Sequence, residues 1–131
     1  MKNILRDKSF ALALRIIKLY KFLIENKKEY VMSKQILRSG TSVGAMIRET
    51  QNAESKMDFV HKLAIAQKEC DESLYWMELL VQSNYITQKA FESVYIEAEQ
   101  VLKMIKSAIL TTKRNIAFKR ITHNSSLIIS N

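Results

Sequence analysis

The sequence predicts an all-α chain, an antiparallel up-down-up-down four-helix bundle, and three observations point to it. Among 131 residues there is no proline and there are only two glycines, Gly40 and Gly44. A sandwich or barrel needs far more turn chemistry than that. Apolar residues recur at spacings of three and four in four successive segments, the period of a helix with one covered face. Short polar breaks separate those segments, and short connections make antiparallel neighbours. An apolar share of 47% with 26% charged residues is that of a globular domain, at a length that can bury one core.

The first segment runs from about Asp7 to Lys27. Leu12, Ile16, Leu19 and Leu23 line one face, and Phe10, Leu14, Ile17 and Ile24 widen it. Lys8, Arg15, Lys18 and Glu25 form the only consistently polar stripe. That apolar sector is wider than the ~100° a helix turns towards a single core, so something besides the bundle is expected to cover it. The second segment runs from Ser33, which can cap it, to about Ala53. Its inner face is Ile36, Leu37, Gly40, Val43, Gly44 and Ile47. Two glycines inside a helix cost about 1 kcal/mol each relative to alanine. Close approach of another helix, within the chain or from a second subunit, is the expected compensation.

Ser55 opens the third segment with Asp58 three residues on, a capping-box-like pair. Phe59, Leu63, Ala66, Cys70, Leu74, Met77 and Val81 follow on one face until Gln82-Ser83-Asn84 breaks the pattern. The fourth opens near Thr87 and runs to Thr112, with Phe91, Val94, Ala98, Val101, Leu102, Ile105 and Ile109 facing inward. The sequence therefore divides into a bundle over residues 1–112 and a basic C-terminal extension over 113–131, expected to be frayed or flexible.

Charge is unevenly spread along the chain. The net formal charge is +8, of which residues 1–28 carry +6 and residues 113–131 carry +4, while 55–82 carry −2. An antiparallel bundle places the start of helix one, the end of helix four and the helix two–three turn at one end. Lys2, Arg6, Lys8, Lys56, Lys113, Arg114, Lys119 and Arg120 then make a basic pole, with Arg15 and Lys18 further along helix one. Such a pole suits nucleic acid, because neutralising phosphates releases counterions. A merely solubilising excess of lysine is the plainer alternative.

Several chemistries lack their residues. A dinuclear metal centre in a bundle needs Glu-x-x-His on two helices and a Glu on each of the others, and the chain offers only Asp58-x-x-His61. Cys70 is alone, which excludes an intrachain disulfide or multi-cysteine zinc site, and its core spacing marks a small hydrophobe. Gly40-x-x-x-Gly44 has no following Gly-Lys-Ser/Thr to cradle phosphate. No apolar run approaches the ~20 residues of a membrane span. The expectation is a soluble, cytoplasmic, non-enzymatic protein without metal or cofactor. A further set of residues suggests an oligomer interface: Arg38, Gly40, Gly44 and Arg48 on helix two, with Glu69, Glu72, Tyr75 and Trp76 on helix three. Arginine and large aromatics dominate such surfaces. The two carboxylates can pair with Arg38 or Arg48 within one subunit or between subunits, and a solvated face with a partly exposed Trp is the plainer alternative.

Three stretches carry a family resemblance: Ser33-Lys34-Gln35-Ile36-Leu37-Arg38-Ser39-Gly40-Thr41-Ser42-Val43-Gly44-Ala45, Glu54-Ser55-Lys56-Met57-Asp58-Phe59-Val60-His61-Lys62-Leu63, and Glu69-Cys70-Asp71-Glu72-Ser73-Leu74-Tyr75-Trp76-Met77-Glu78-Leu79-Leu80. Over roughly residues 7–112 the chain resembles the bacterial four-helix bundle proteins encoded by intervening sequences of 23S ribosomal RNA genes. The resemblance implies a homopentameric, barrel-like ring. It is also similar in architecture to the accessory variability determinant of diversity-generating retroelements, a basic pentamer that works with a reverse transcriptase and nucleic acid. The implied partners are copies of the chain itself, RNA or DNA, and a protein such as a reverse transcriptase. The alternative is a protein–protein adaptor ring that binds no nucleic acid. The extension 113–131 lies outside the resemblance.

Overall fold

A computed structural model describes the backbone of residues 3–130 and the side chains of residues 3–124. Four helices follow one another: α1 (Ile4–Asn26), α2 (Met32–Glu49), α3 (Lys56–Gln82) and α4 (Gln88–Ser130), with a 3-10 turn at Thr50–Asn52 after α2. There is no strand among the described residues. Each helix packs on the next, and a thinner α1–α4 seam closes the bundle. Cross-helix pairs fix the directions. Gly40 lies against Ile16 and Gly44 against Ser9, whereas Cys70 reaches Ala98 and Lys56 meets Lys119. Residue numbers rise on one helix as they fall on its neighbour, so the pairs α1–α2 and α3–α4 are antiparallel.

The helix starts explain the boundaries. Asn3 caps α1, its side chain accepting the Arg6 N–H at 3.0 Å. Ser55 caps α3 by accepting the Asp58 N–H at 3.0 Å, and the Asp58 carboxylate in turn accepts the Glu54 N–H at 3.1 Å. Thr87 accepts the Ala90 N–H at the start of α4. Helix α2 departs from expectation, since Ser33 does not cap it. The buried Glu29 carboxylate instead accepts the N–H groups of Val31, Met32 and Ser33, and the Ser33 hydroxyl donates to the Glu29 carbonyl. A carboxylate reaching three orphan donors at the positive end of a helix satisfies both hydrogen bonding and the helix dipole. The α3–α4 corner turns through Asn84 at φ 66°, with Tyr85 N–H bonded to Leu80 O and Asn84 N–H to Val81 O. Asparagine tolerates that left-handed conformation better than most residues.

The core is the apolar face that the periodicity marks. Leu12, Ile16 and Leu23 of α1 meet Ile36, Val43 and Ile47 of α2. Leu63, Ala66, Cys70 and Met77 of α3 meet Val94, Ala98, Val101 and Ile105 of α4. Leu19, Phe59, Phe91 and Ile109 are only partly buried against it. The last α4 side chains packed on the core are Ala108 and Ile109, yet the helix does not stop with them. It continues through Ser130, where the sequence suggests a frayed or flexible segment after Thr112. Helical backbone bonds are local and persist once α4 is nucleated, even where packing has ceased.

The two glycines sit between α1 and α2 and differ in what they allow. A Cβ on Gly40 would lie 2.8 Å from two Ile16 side-chain carbons, while one on Gly44 would make ordinary contacts with the Ser9 carbonyl oxygen at 3.4 Å and the Ser9 hydroxyl at 3.6 Å. Ile16 is branched where it meets the glycine and fully buried, so it cannot swing aside. Gly40→Ala should therefore destabilise the bundle by about 1–3 kcal/mol through overpacking. Gly44→Ala should stabilise it by up to about 1 kcal/mol through helix propensity. Urea unfolding followed by circular dichroism checks the opposite signs, and equal shifts would contradict the packing described.

Candidate nucleic-acid and subunit interfaces

Antiparallel packing gathers cations at one end. That end holds the start of α1 with Arg6 and Lys8, the start of α3 with Lys56, and the stretch of α4 bearing Lys113, Arg114, Lys119 and Arg120. Lys8, Lys56 and the four α4 cations are exposed, and Arg6 is half-buried. Lys2 lies outside the described residues. The α3 and α4 contributions stand side by side: Lys119, as a donor that favours the neutral amine of Lys56 and then as a like charge, lowers the pKa of Lys56. Two ammonium groups held side by side repel unless an anion lies between them. Among the described residues the ion pairs use Arg15, Arg38 and Lys62 as their cations, and none uses a cation of this pole. Past Lys119, the eleven α4 residues Arg120 to Ser130 run on for about 16 Å at 1.5 Å per residue. Phe118 (70% exposed) and Ile121 are apolar groups left in solvent there.

Two expected members of the cationic set belong elsewhere. Arg15 is pinned to α4: its guanidinium pairs with Glu97 at 3.0 Å and donates to the Ser93 hydroxyl at 2.8 Å and carbonyl at 3.2 Å. Lys18 stands beside a crevice between α1 and α4 with Leu19, Ala90 and Phe91. It is twelve residues, or about 18 Å along the helix, from Arg6. Of the two, Arg15 closes the seam with α4, while Lys18 is exposed and enters no ion pair among the described residues. Ser93 and Glu97, which complete that seam, carry no periodic signal in sequence.

The expected interface set also divides. Gly40 is buried under Ile16 and so leaves the surface, because helix packing within the chain uses its missing side chain. Gly44 floors a groove of about 320 Å³ between α1 and α2, lined by Phe10, Ala13, Ile17, Ala45, Arg6 and Arg48 among others. Arg48 caps the groove with its guanidinium carbon 5.3 Å from the Phe10 ring centre, a cation–π interaction worth about 0.5–1 kcal/mol at an exposed site. Arg38 is exposed but engaged within the chain. It pairs with Glu69 at 3.0 Å and with Glu72, stitching α2 to α3. Trp76 is partly buried on the core, its ring Nε1 enclosed without a hydrogen-bond partner, while Tyr75 stays 54% exposed and meets it edge-on at 5.2 Å.

Fold and charge together define a four-helix bundle protein with one cationic end. The profile of the 23S rRNA-intervening sequence protein family matches residues 1–107, and the chain belongs to that family. It is similar to a crystal structure of a protein of unknown function from the S23 ribosomal protein family of Bacteroides thetaiotaomicron. The two share 51% identity with a TM-score of 0.80, over 81% of this chain and 98% of that one. No curated protein matches significantly. Among the described residues no group of three metal-ligating side chains converges, and no helix is long and apolar enough to cross a membrane.

Two titrations carry tests. The Glu54 N–H, then the Lys62 ammonium, hold the Asp58 carboxyl below its ordinary range. A depressed carboxylate stabilises the fold above its unfolded pKa and ceases to as pH falls through the folded value. Stability should drop as pH falls below about 4, and Asp58→Asn should flatten that part of a urea-midpoint profile. Cys70 is buried against Ala98 O, and burial first, then the Asp71 charge, push its thiol pKa up to about 12. Iodoacetamide at pH 8 should leave the native thiol unmodified and label it after unfolding.

Proposed function

We propose that the chain is a non-enzymatic, oligomeric nucleic-acid-binding protein of the cytoplasm, which holds the phosphate backbone of RNA or DNA at its cationic end. What carries this reading is the Lys56–Lys119 pair. Two ammonium groups from different helices meet there, among further cations and without a carboxylate among the described ion pairs. A phosphodiester placed between them would turn repulsion into attraction, and counterion release would add to the affinity. Lys113, Arg114 and Arg120 on the same helix extend the track past the bundle. A homopentameric ring would set five such poles around one axis, so that a single strand engages several and gains avidity.

A second reading has its own observation. Phe10 and Leu14 are each half exposed on the outer side of α1, which suits an adaptor ring that binds a protein, a reverse transcriptase among the candidates, and no nucleic acid.

Fluorescence anisotropy with labelled RNA and DNA over a salt series separates the two. Lys56→Gln/Lys119→Gln should weaken binding on every sequence tested. It should also reduce the slope of log K against log salt by about 2, one for each phosphate that is no longer neutralised. No binding at low salt, or binding that ignores the double substitution, would overturn the nucleic-acid reading.

A further inference from the structure

The continuation of α4 carries an aromatic ring that the chain itself does not use. Phe118 is 70% exposed, more than any other aromatic side chain among the described residues. The other exposed phenylalanines have a cation over the ring, Arg48 on Phe10 and Lys27 on Phe22. Tyr75 meets Trp76, and Phe91 meets Tyr95. Phe118 enters no such contact among the described residues, so its ring faces are open. Tyr30 is open as well, but it lies between α1 and α2, at the end of the bundle away from the cationic pole.

Phe118 stands within that pole. Arg114, Phe118 and Ile121 fall at i, i+4 and i+7 and share a helix face, and all three are exposed. Lys119, the next residue, stands beside Lys56 of α3. From Gln100 to Asn131 the sequence has six cations (Lys103, Lys106, Lys113, Arg114, Lys119 and Arg120) and no aspartate or glutamate. The ring thus has one cation a turn before it and another beside it, with no carboxylate on its own helix after Glu99. Cations alone are enough to hold a phosphate backbone. An open ring among them offers what only a base can use, a π-face to stack on. In a duplex the base faces are covered by the neighbouring base pairs, whereas in a single strand they are free.

We propose that Phe118 is a stacking platform for a nucleobase, which makes a single strand, with its bases free, the ligand of the cationic end. The inference rests on the nucleic-acid reading above and adds the class of strand. A phosphate between Lys56 and Lys119 would leave the adjoining base to turn onto Phe118, with Arg114 against a neighbouring phosphate and Ile121 widening the platform. Every base has a π-face, so this recognition tolerates any sequence.

The test is fluorescence anisotropy of the full-length protein with three labelled probes of one length: oligothymidylate, its duplex with oligodeoxyadenylate, and an abasic deoxyribose-phosphate strand. The wild type should hold oligothymidylate more tightly than the abasic strand, which carries the same charge without bases. Phe118→Ala should weaken oligothymidylate binding by about 5- to 140-fold, the loss of one stacked base, and leave the other two probes unchanged. The salt slope should stay as it is, because no phosphate contact is removed. Phe118→Trp, which keeps a ring, should bind oligothymidylate as the wild type does. Position 118 is off the core and alanine favours a helix, and unchanged far-ultraviolet circular dichroism confirms that both variants fold. Equal affinity for oligothymidylate and the abasic strand would overturn the stacking role and leave phosphate binding standing. A Phe118→Ala loss shared equally by all three probes would do the same. No binding to any probe at low salt would overturn both.

Discussion

Much of this molecule depends on how closely α1 can approach α2. Gly40 removes the side chain that would stand between them, and Ile16 fills that space completely. With Ile16 seated there, Leu12 and Leu23 turn into the core on the same face, and Ser9 comes to rest on Gly44. The rotation of α1 about its own axis is thereby fixed. That rotation decides which side of an over-apolar helix is left outside. Phe10 and Leu14 are exposed because Ile16 is buried, since a helix with apolar residues around most of its circumference cannot hide all of them in one core.

The remaining helices are set by a few polar pins at the edges of this apolar packing. Ser39 and Ser73 share a buried hydrogen bond at 3.0 Å where α2 crosses α3, a net contribution of about 1 kcal/mol that matters more for register than for strength. Arg38 adds its two carboxylates just outside, half in water and so worth less than about 1 kcal/mol. The α1–α4 seam is the thinnest in the bundle, and Arg15 bridges it with a charge and two hydrogen bonds. A cation that could have served a ligand is committed to closing the bundle.

The helical period was legible because it is redundant, with four or more apolar positions reporting each inner face. Boundaries set by local side-chain chemistry were legible where the chemistry is local: Ser55 with Asp58, and Thr87 with Ala90. The α2 start was not, because Glu29 acts from outside the helix and a buried glutamate looks like any other polar loop residue. Site residues fared according to how many partners their role needs. A basic end follows from topology and charge alone, so Lys56 and the α4 cations were readable. The tie of Arg15 to Glu97 was not readable, because net charge per segment does not say which side of a helix faces a neighbouring carboxylate. The split of Tyr75 from Trp76, one outward and one on the core, turns on a single 100° step that the width of the α3 stripe left open.

The charges also divide the surface in a way that neither fold nor solubility requires. A bundle of this kind could scatter its cations, and a net charge of +8 would keep it soluble however they were arranged. Instead, Lys56 and Lys119 are brought together by the continuation of α4 beyond the last core residue, a stretch that costs backbone entropy and buries little. Like charges held together there raise the electrostatic energy of the chain, and neither a carboxylate of the described ion pairs nor burial on the core offsets them. What limits the repulsion is solvent, because Lys56 and Lys119 are both exposed and water and salt screen them.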